Sequence, residues 1–131
     1  MKIIVTGGAG FIGSQIADRY IALGHAVTIL DDLSTGKQEN INPKATFVEA
    51  DIRSDAAAKL VREGGFDVLS HQAAQVDVRT STKDPAADAD LNIIGSLNLI
   101  QAAHAGKVGQ VIFASSGGAG YGEQDTFPAD E

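Results

Sequence analysis

Thr6-Gly7-Gly8-Ala9-Gly10-Phe11-Ile12-Gly13 is the stretch on which the reading of this chain turns. It follows an apolar run, Ile3-Ile4-Val5, and opens a helix-patterned segment from Phe11 to Leu23. The order is strand, tight glycine turn, helix. The first N–H groups of a helix lack intrahelical partners and sit at the positive end of its macrodipole, so an anion is welcome there. Glycine lets the chain take a left-handed turn, lets backbone approach a pyrophosphate, and lets helix pack closely on strand. The glycines read as Gly7/Gly10/Gly13 and, from Gly8, as G-x-G-x-x-G. Neither spacing is specific alone; it gains meaning from a strand before it, a helix after it and an acidic residue about 20 positions on.

That acidic residue is present. Gly24 reads as the stop of the first helix, and Ala26-Val27-Thr28-Ile29-Leu30 is a second buried-strand run ending in Asp31-Asp32. A carboxylate at that strand tip accepts hydrogen bonds from the adenosine ribose of NAD and repels the 2′-phosphate of NADP. No Arg or Lys follows until Lys37, so NAD is the expected cofactor. A P-loop needs Lys after its last glycine, where Ser14 stands, which argues against nucleoside triphosphate hydrolysis. FAD uses the same fingerprint, and these residues leave it open.

Length and composition narrow the class. The chain of 131 residues predicts one domain, 1–131, long enough to bury a core. A formal net charge of −7 argues against nucleic acid or an anionic membrane as partner, since phosphate contacts need clustered Lys and Arg. No apolar run approaches membrane-spanning length, and Met1-Lys2 leads straight into a strand, so the expected location is the cytoplasm. The absence of cysteine excludes disulfides, a thiolate nucleophile and Cys-based zinc sites. His25, His71 and His104 lack metal-ligand spacing, and no metal is expected.

Further along, the first helix carries Ile12, Ile16, Tyr20 and Leu23 at three- and four-residue steps, a stripe that packs on a sheet. Leu33 to Pro43 is turn-rich and reads as a loop beside the adenosine end. Thr46 to Ala50 is a third strand, followed by Asp51-Ile52 and by a helix capped at Ser54 or Asp55 and running to about Arg62. Phe66 to Ser70 is a fourth strand, after which come His71-Gln72-Ala73-Ala74-Gln75. His71 reads as a hydrogen-bonded structural residue. A polar loop, Asp77 to Asp84, leads through Pro85 into a long helix ending near Ala105-Gly106. Its Leu91, Ile93, Ile94, Leu97, Leu99 and Ile100 occupy more than one face, so it packs on the sheet and on something further, a second subunit being one candidate. Gln110 to Ala114 is the fifth strand, leading into Ser115-Ser116-Gly117-Gly118. Such alternation predicts an α/β fold with a parallel, doubly wound sheet and helices on both faces. By analogy with the Rossmann fold the strand order is 3-2-1-4-5, with a cofactor between strands one and four.

At this order and spacing the chain resembles the extended short-chain dehydrogenases, in particular the NAD-dependent nucleotide-sugar epimerases and dehydratases, and among them UDP-glucose 4-epimerase-like members. The resemblance is carried by Thr6 to Ser14, Asp31 to Gly36, Asp51-Ile52-Arg53, His71 to Gln75, Asn92 to Gly95 and Phe113 to Glu123. It sets FAD aside. It implies that Gly7, Gly10, Phe11, Ile12 and Gly13 hold the pyrophosphate and that Asp31 takes the adenosine ribose, with Asp32, Ser34, Thr35 and Gly36 lining that end. Asp51 and Ile52 would flank the adenine. Gln72, Ala73, Ala74 and Gln75 would pass along the cofactor's centre, with Asn92 bracing that loop and Ala114-Ser115 approaching the nicotinamide side. Ser116 matches the family's catalytic Ser/Thr; without the match, Ser115 and Ser116 are polar residues at a strand end.

The reaction the resemblance implies is transient oxidation at C4 of a UDP-sugar, by a tyrosine kept ionised by a lysine four residues on. Here Gly24 and Asp125 stand four residues after Tyr20 and Tyr121. In the family the pair lies further downstream, along with the last strands and the substrate domain. The resemblance thus covers the whole chain and under half of the family's usual length, so the chain reads as the NAD-binding portion of an epimerase. Activity of these residues alone is not expected, and a non-catalytic NAD-binding module is the alternative. Gly117-Gly118, where dehydratases place Asp-Glu, argue against dehydration; decarboxylation or keto-sugar reduction remains a further family reaction. A homodimer is the expected assembly if the fifth strand or the long helix is left uncovered.

Overall fold

Lys2–Thr6 forms β1, and its alternation sets out the whole architecture. Ile3 and Val5 join one core cluster, Ile4 joins another, and all three are fully buried. A strand buried on both faces belongs in a parallel sheet between two helical layers. The computed structural model describes residues 1–116 and 120–122; Gly117, Gly118, Ala119 and residues 123–131, with Asp125 and the tail from Thr126, lie outside the described residues.

Beside β1 run β2 (Ala26–Asp31), β3 (Thr46–Glu49), β4 (Val68–His71) and β5 (Gln110–Phe113), every neighbouring pair parallel. The order is β3-β2-β1-β4-β5, the doubly wound arrangement expected by analogy with the Rossmann fold. Thr6 lies beside Leu30 on one side and His71 on the other, so β1, β2 and β4 finish at one level. That shared edge is where an open α/β sheet receives ligand.

One face is covered by α1 (Phe11–Ala22), whose Ala17 is buried against Ile3, Val5, Val27 and Ile29. The other face takes α2 (Asp55–Glu63) and α5 (Ser96–Ala105), whose Val61 and Leu99 pack with Ile4, Leu30 and Leu69. α2 starts where Ser54 Oγ accepts the Ala57 N–H at 3.1 Å. Between α2 and α5 lie α3 (Val78–Lys83), α4 (Pro85–Ala89) and a π-helical turn, Asp90–Gly95, which runs directly into α5.

Three local features differ from the sequence reading. The polar loop expected at 77–84 contains α3. Asp77 starts it by accepting the Arg79 N–H at 2.9 Å, and no α3 residue is buried, so no apolar stripe announces the helix. The long helix after Pro85 is interrupted by the π turn. β4 begins at Val68 and takes in His71, placing the imidazole inside the sheet rather than beyond it.

Candidate dinucleotide site

At the carboxyl edge of the sheet the turn after β1, the tip of β2 and the loop after β4 enclose a cleft of about 270 Å³. Its floor is made by exclusion. Gly7 turns at φ +64°, and the Gly10 N–H closes the turn on Gly7 O at 3.1 Å. A Cβ on Gly7 would lie 2.7 Å from Ala73 N, and one on Gly13 would lie 2.1 Å from Gly7 O. The turn, the start of α1 and the post-β4 loop therefore meet where only hydrogen fits. Gly10 stands at the N-cap of α1 and has no side chain to bond the first-turn N–H groups, which thus lack the partner a cap residue supplies. Gly10, Phe11, Ile12 and Gly13 line the cleft around that helix end.

Asp31 closes the adjacent wall. It is 7 % exposed, and its carboxylate accepts the Ala9 N–H at 2.9 Å on Oδ2 and the Leu33 N–H at 2.8 Å on Oδ1. A carboxylate oxygen has two acceptor sites, so each Asp31 oxygen keeps one beyond these bonds, and the residue lines the cleft. The following loop folds back on the glycine turn, since Lys37 N–H and Asn40 Nδ2 both donate to Ala9 O, at 3.0 and 2.9 Å. Asp32, Ser34 and Thr35 line this end; Asp32 accepts the Ser34 hydroxyl at 2.6 Å. Gly36 lies off the lining, where a Cβ would stand 2.8 Å from Asp31 Oδ1.

The far wall is Ile52, buried, with Ala50 and Leu91. Asp51 is not on the lining: its carboxylate receives Arg53 Nε at 3.0 Å, and that bonding holds the carboxyl below its usual range. Arg53 also donates to Asp90 Oδ2 at 2.8 Å, tying this corner to the π turn.

Gln72, Ala73, Ala74 and Val76 form the third wall. Behind them a buried polar chain fixes its own protons. Ser96 Oγ donates to Asn92 O at 2.6 Å, so His71 Nε2–H must be the donor in its 2.9 Å contact with Ser96 Oγ. His71 Nδ1 then accepts from Thr6 Oγ1 at 2.7 Å, and Thr6 Oγ1 in turn accepts the N–H groups of Gln72 and Ala73. His71 is 2 % exposed, and burial pushes its pKa down, consistent with the neutral ring this chain requires.

A smaller cavity of about 110 Å³ adjoins the cleft, lined by Asn92 and Ala114 together with His71, Ser96 and Phe113. Asn92 reaches the loop, as its Oδ1 accepts the Gln75 N–H at 2.8 Å and its Nδ2 donates to Gln75 O at 2.9 Å. Gln75 lines neither cavity. Ser115 and Ser116 are exposed and line neither. The sequence reading missed Leu30, Ala50, Val76 and Leu91 on the cleft wall, and Thr6, Ser96 and Asp88 behind it. A signal for two of them existed: Asp88, Asn92 and Ser96 recur every four residues, one face of a helix.

The cleft's charged lining residues are Asp31 and Asp32, and no Lys or Arg lines it among the described residues. An anionic ligand there is held by peptide N–H groups and a helix end, with two carboxylates available for hydroxyl groups. A dinucleotide fits this donor set.

Comparison with known proteins agrees. The model of the NAD-dependent epimerase/dehydratase family matches residues 3–131. UDP-glucose 4-epimerase from Mycolicibacterium smegmatis is 43% identical over 136 aligned positions, covering 100% of this chain and 44% of that protein. The structure of Thermus thermophilus UDP-glucose 4-epimerase in complex with NAD superposes with a TM-score of 0.91 at 42% identity, over 100% of this chain and 42% of that one. That of the Thermotoga maritima enzyme with UDP-glucose gives 0.91 at 43% identity, over 98% and 42%. The chain spans about two fifths of the length of these relatives. On its motifs, its strand order and the family match across nearly every residue, the chain belongs to the NAD-dependent epimerase/dehydratase family.

Proposed function

We propose that this chain is the NAD-binding portion of a nucleotide-sugar epimerase of the UDP-glucose 4-epimerase type. The observation that carries the reading is the meeting of the uncapped α1 N-terminus and the Asp31 carboxylate in one cleft. Peptide N–H groups at Phe11, Ile12 and Gly13 receive the pyrophosphate beside Gly7 and Gly10, whose close turn brings the backbone up to it. Asp31 takes the adenosine ribose, with Asp32, Ser34, Thr35 and Gly36 at that end, and Ile52 flanks the base, Asp51 standing behind it on Arg53. Gln72, Ala73, Ala74 and Gln75, braced by Asn92, run along the cofactor's centre, and Ala114-Ser115 border the nicotinamide side. When bound, NAD supplies the hydride acceptor for a sugar hydroxyl carbon. Ser116 hydrogen-bonds that hydroxyl and orients it. UDP-sugar as substrate is supported by the relatives' names and by the UDP-glucose held in the Thermotoga structure.

Calorimetric titration of the chain with NAD and NADP tests the assignment. NAD is expected to bind the more tightly, and Asp31→Asn, which keeps the volume and removes the charge, is expected to bring the two affinities within about threefold, as a hydrogen bond to a charged group is worth about 1.5–3 kcal/mol. Equal affinities in the unaltered chain would refute the role of Asp31. A second reading, binding without turnover by these 131 residues alone, is favoured by Gly24 and Asp125 standing where a lysine would follow each tyrosine. Epimerisation of UDP-galactose is expected to be undetectable with this chain alone, and turnover would overturn that reading.

A further inference from the structure

Resting on that cofactor assignment, we infer that Asp88, which lines neither cavity, is a positioning residue that fixes the 72–76 wall of the cleft through Asn92 and Gln75. The wall has no regular secondary structure from Gln72 to Asp77, so side chains must set its path. Its start hangs on Thr6 Oγ1, which accepts the Gln72 and Ala73 N–H groups at 3.2 Å each. Its end hangs on Asn92, whose amide bonds both the N–H and the C=O of Gln75. That bridge exists in one amide orientation only. Reversed, it would set NH₂ against N–H and oxygen against oxygen.

Asp88 selects the orientation. Its Oδ1 accepts from Gln75 Nε2 at 2.8 Å, Ser81 Oγ at 2.9 Å and Asn92 Nδ2 at 3.2 Å. An ionised carboxylate only accepts, so each amide must turn its NH₂ toward it. The Gln75 Oε1 is thereby left to accept the Asp77 N–H, which closes the loop on itself. The adenosine end shares none of these bonds, since Asp31 is held by Ala9 and Leu33. Asp88 therefore governs the half of the cleft that receives the cofactor's centre, and none of its bonds reaches the Asp31 carboxylate.

The test titrates the full chain and its Asp88→Ala and Asp88→Asn variants with NAD and, separately, with AMP, which engages the adenosine half alone. Alanine sustains the helix. Asp88→Ala is expected to weaken NAD about tenfold and to leave AMP unchanged, while Asp88→Asn, whose Oδ1 can accept the same bonds, recovers most of the loss. Unchanged NAD binding, an equal loss of AMP, or an Asp88→Ala chain too unstable to assay overturns the inference in favour of a plain structural role or none. Amide hydrogen exchange without ligand is the second arm. The Gln75 N–H is expected to exchange about tenfold faster in Asp88→Ala while the β1 amides keep their rates; an unaltered Gln75 rate or a uniform acceleration overturns it. If the unaltered chain binds neither NAD nor AMP, the functional reading fails, and the exchange arm still decides the role of Asp88.

Discussion

His71 shows how much one residue can be constrained by its neighbours. Both ring nitrogens are committed, Nε2 as donor and Nδ1 as acceptor, and burial lowers its pKa. The folded chain therefore keeps the ring neutral at a pH where the unfolded chain already binds a proton. Stability is complete above the unfolded imidazole value of about 6.5 and falls as pH drops below it, until the lower folded value is reached, by up to about 1.4 kcal/mol per pH unit. Urea midpoints between pH 8 and pH 5 should show this decline, and His71→Gln should flatten it; an equal slope in the variant would place its source elsewhere. Gly7 and Gly13 were legible in the sequence because a turn this close to helix and loop has room for hydrogen alone, and Asp31 because it stands at the tip of an apolar run. The partners of His71 were not, since Ser96 stands 25 residues away and only the fold brings it near.

At the scale of elements, legibility followed apolar patterning. β1 and β2 declared themselves as apolar runs because both of their faces are covered. α3 did not, being held by Asp77 and by Thr82 Oγ1 donating to Val78 O, and burying nothing. The π turn was likewise unreadable, as a widened turn leaves no mark in an apolar pattern. Apolar side chains also stand in water later in the chain: the π turn and α5 expose Ile93, Ile94 and Leu97, and β5 exposes Val111, Ile112 and Phe113. Self-association through one of these faces is the expected outcome, measured as a concentration-dependent sedimentation coefficient. Ile94→Lys with Leu97→Lys should abolish it if the helical face carries it, and Val111→Lys if the strand does. A monomer at every concentration would dismiss both.

For the molecule as a whole, the parallel sheet was available from the alternation of strands and helices and its order from analogy with the Rossmann fold, whereas the shape of the cleft was not. The alternation implies a parallel sheet with helices on both faces; the cleft's third wall depends on side chains spread from Thr6 to Ser96. The order β3-β2-β1-β4-β5 also carries a consequence for synthesis. Every strand that pairs with β1 has been made once translation reaches His71, and the two walls built on Gly7 and Asp31 belong to that same early portion. Domains consolidate from the amino terminus while the ribosome is still at work. The nascent polypeptide can thus assemble the walls around Gly7 and Asp31 before β5 emerges, and wait for the helices from α3 onward to complete the opposite wall.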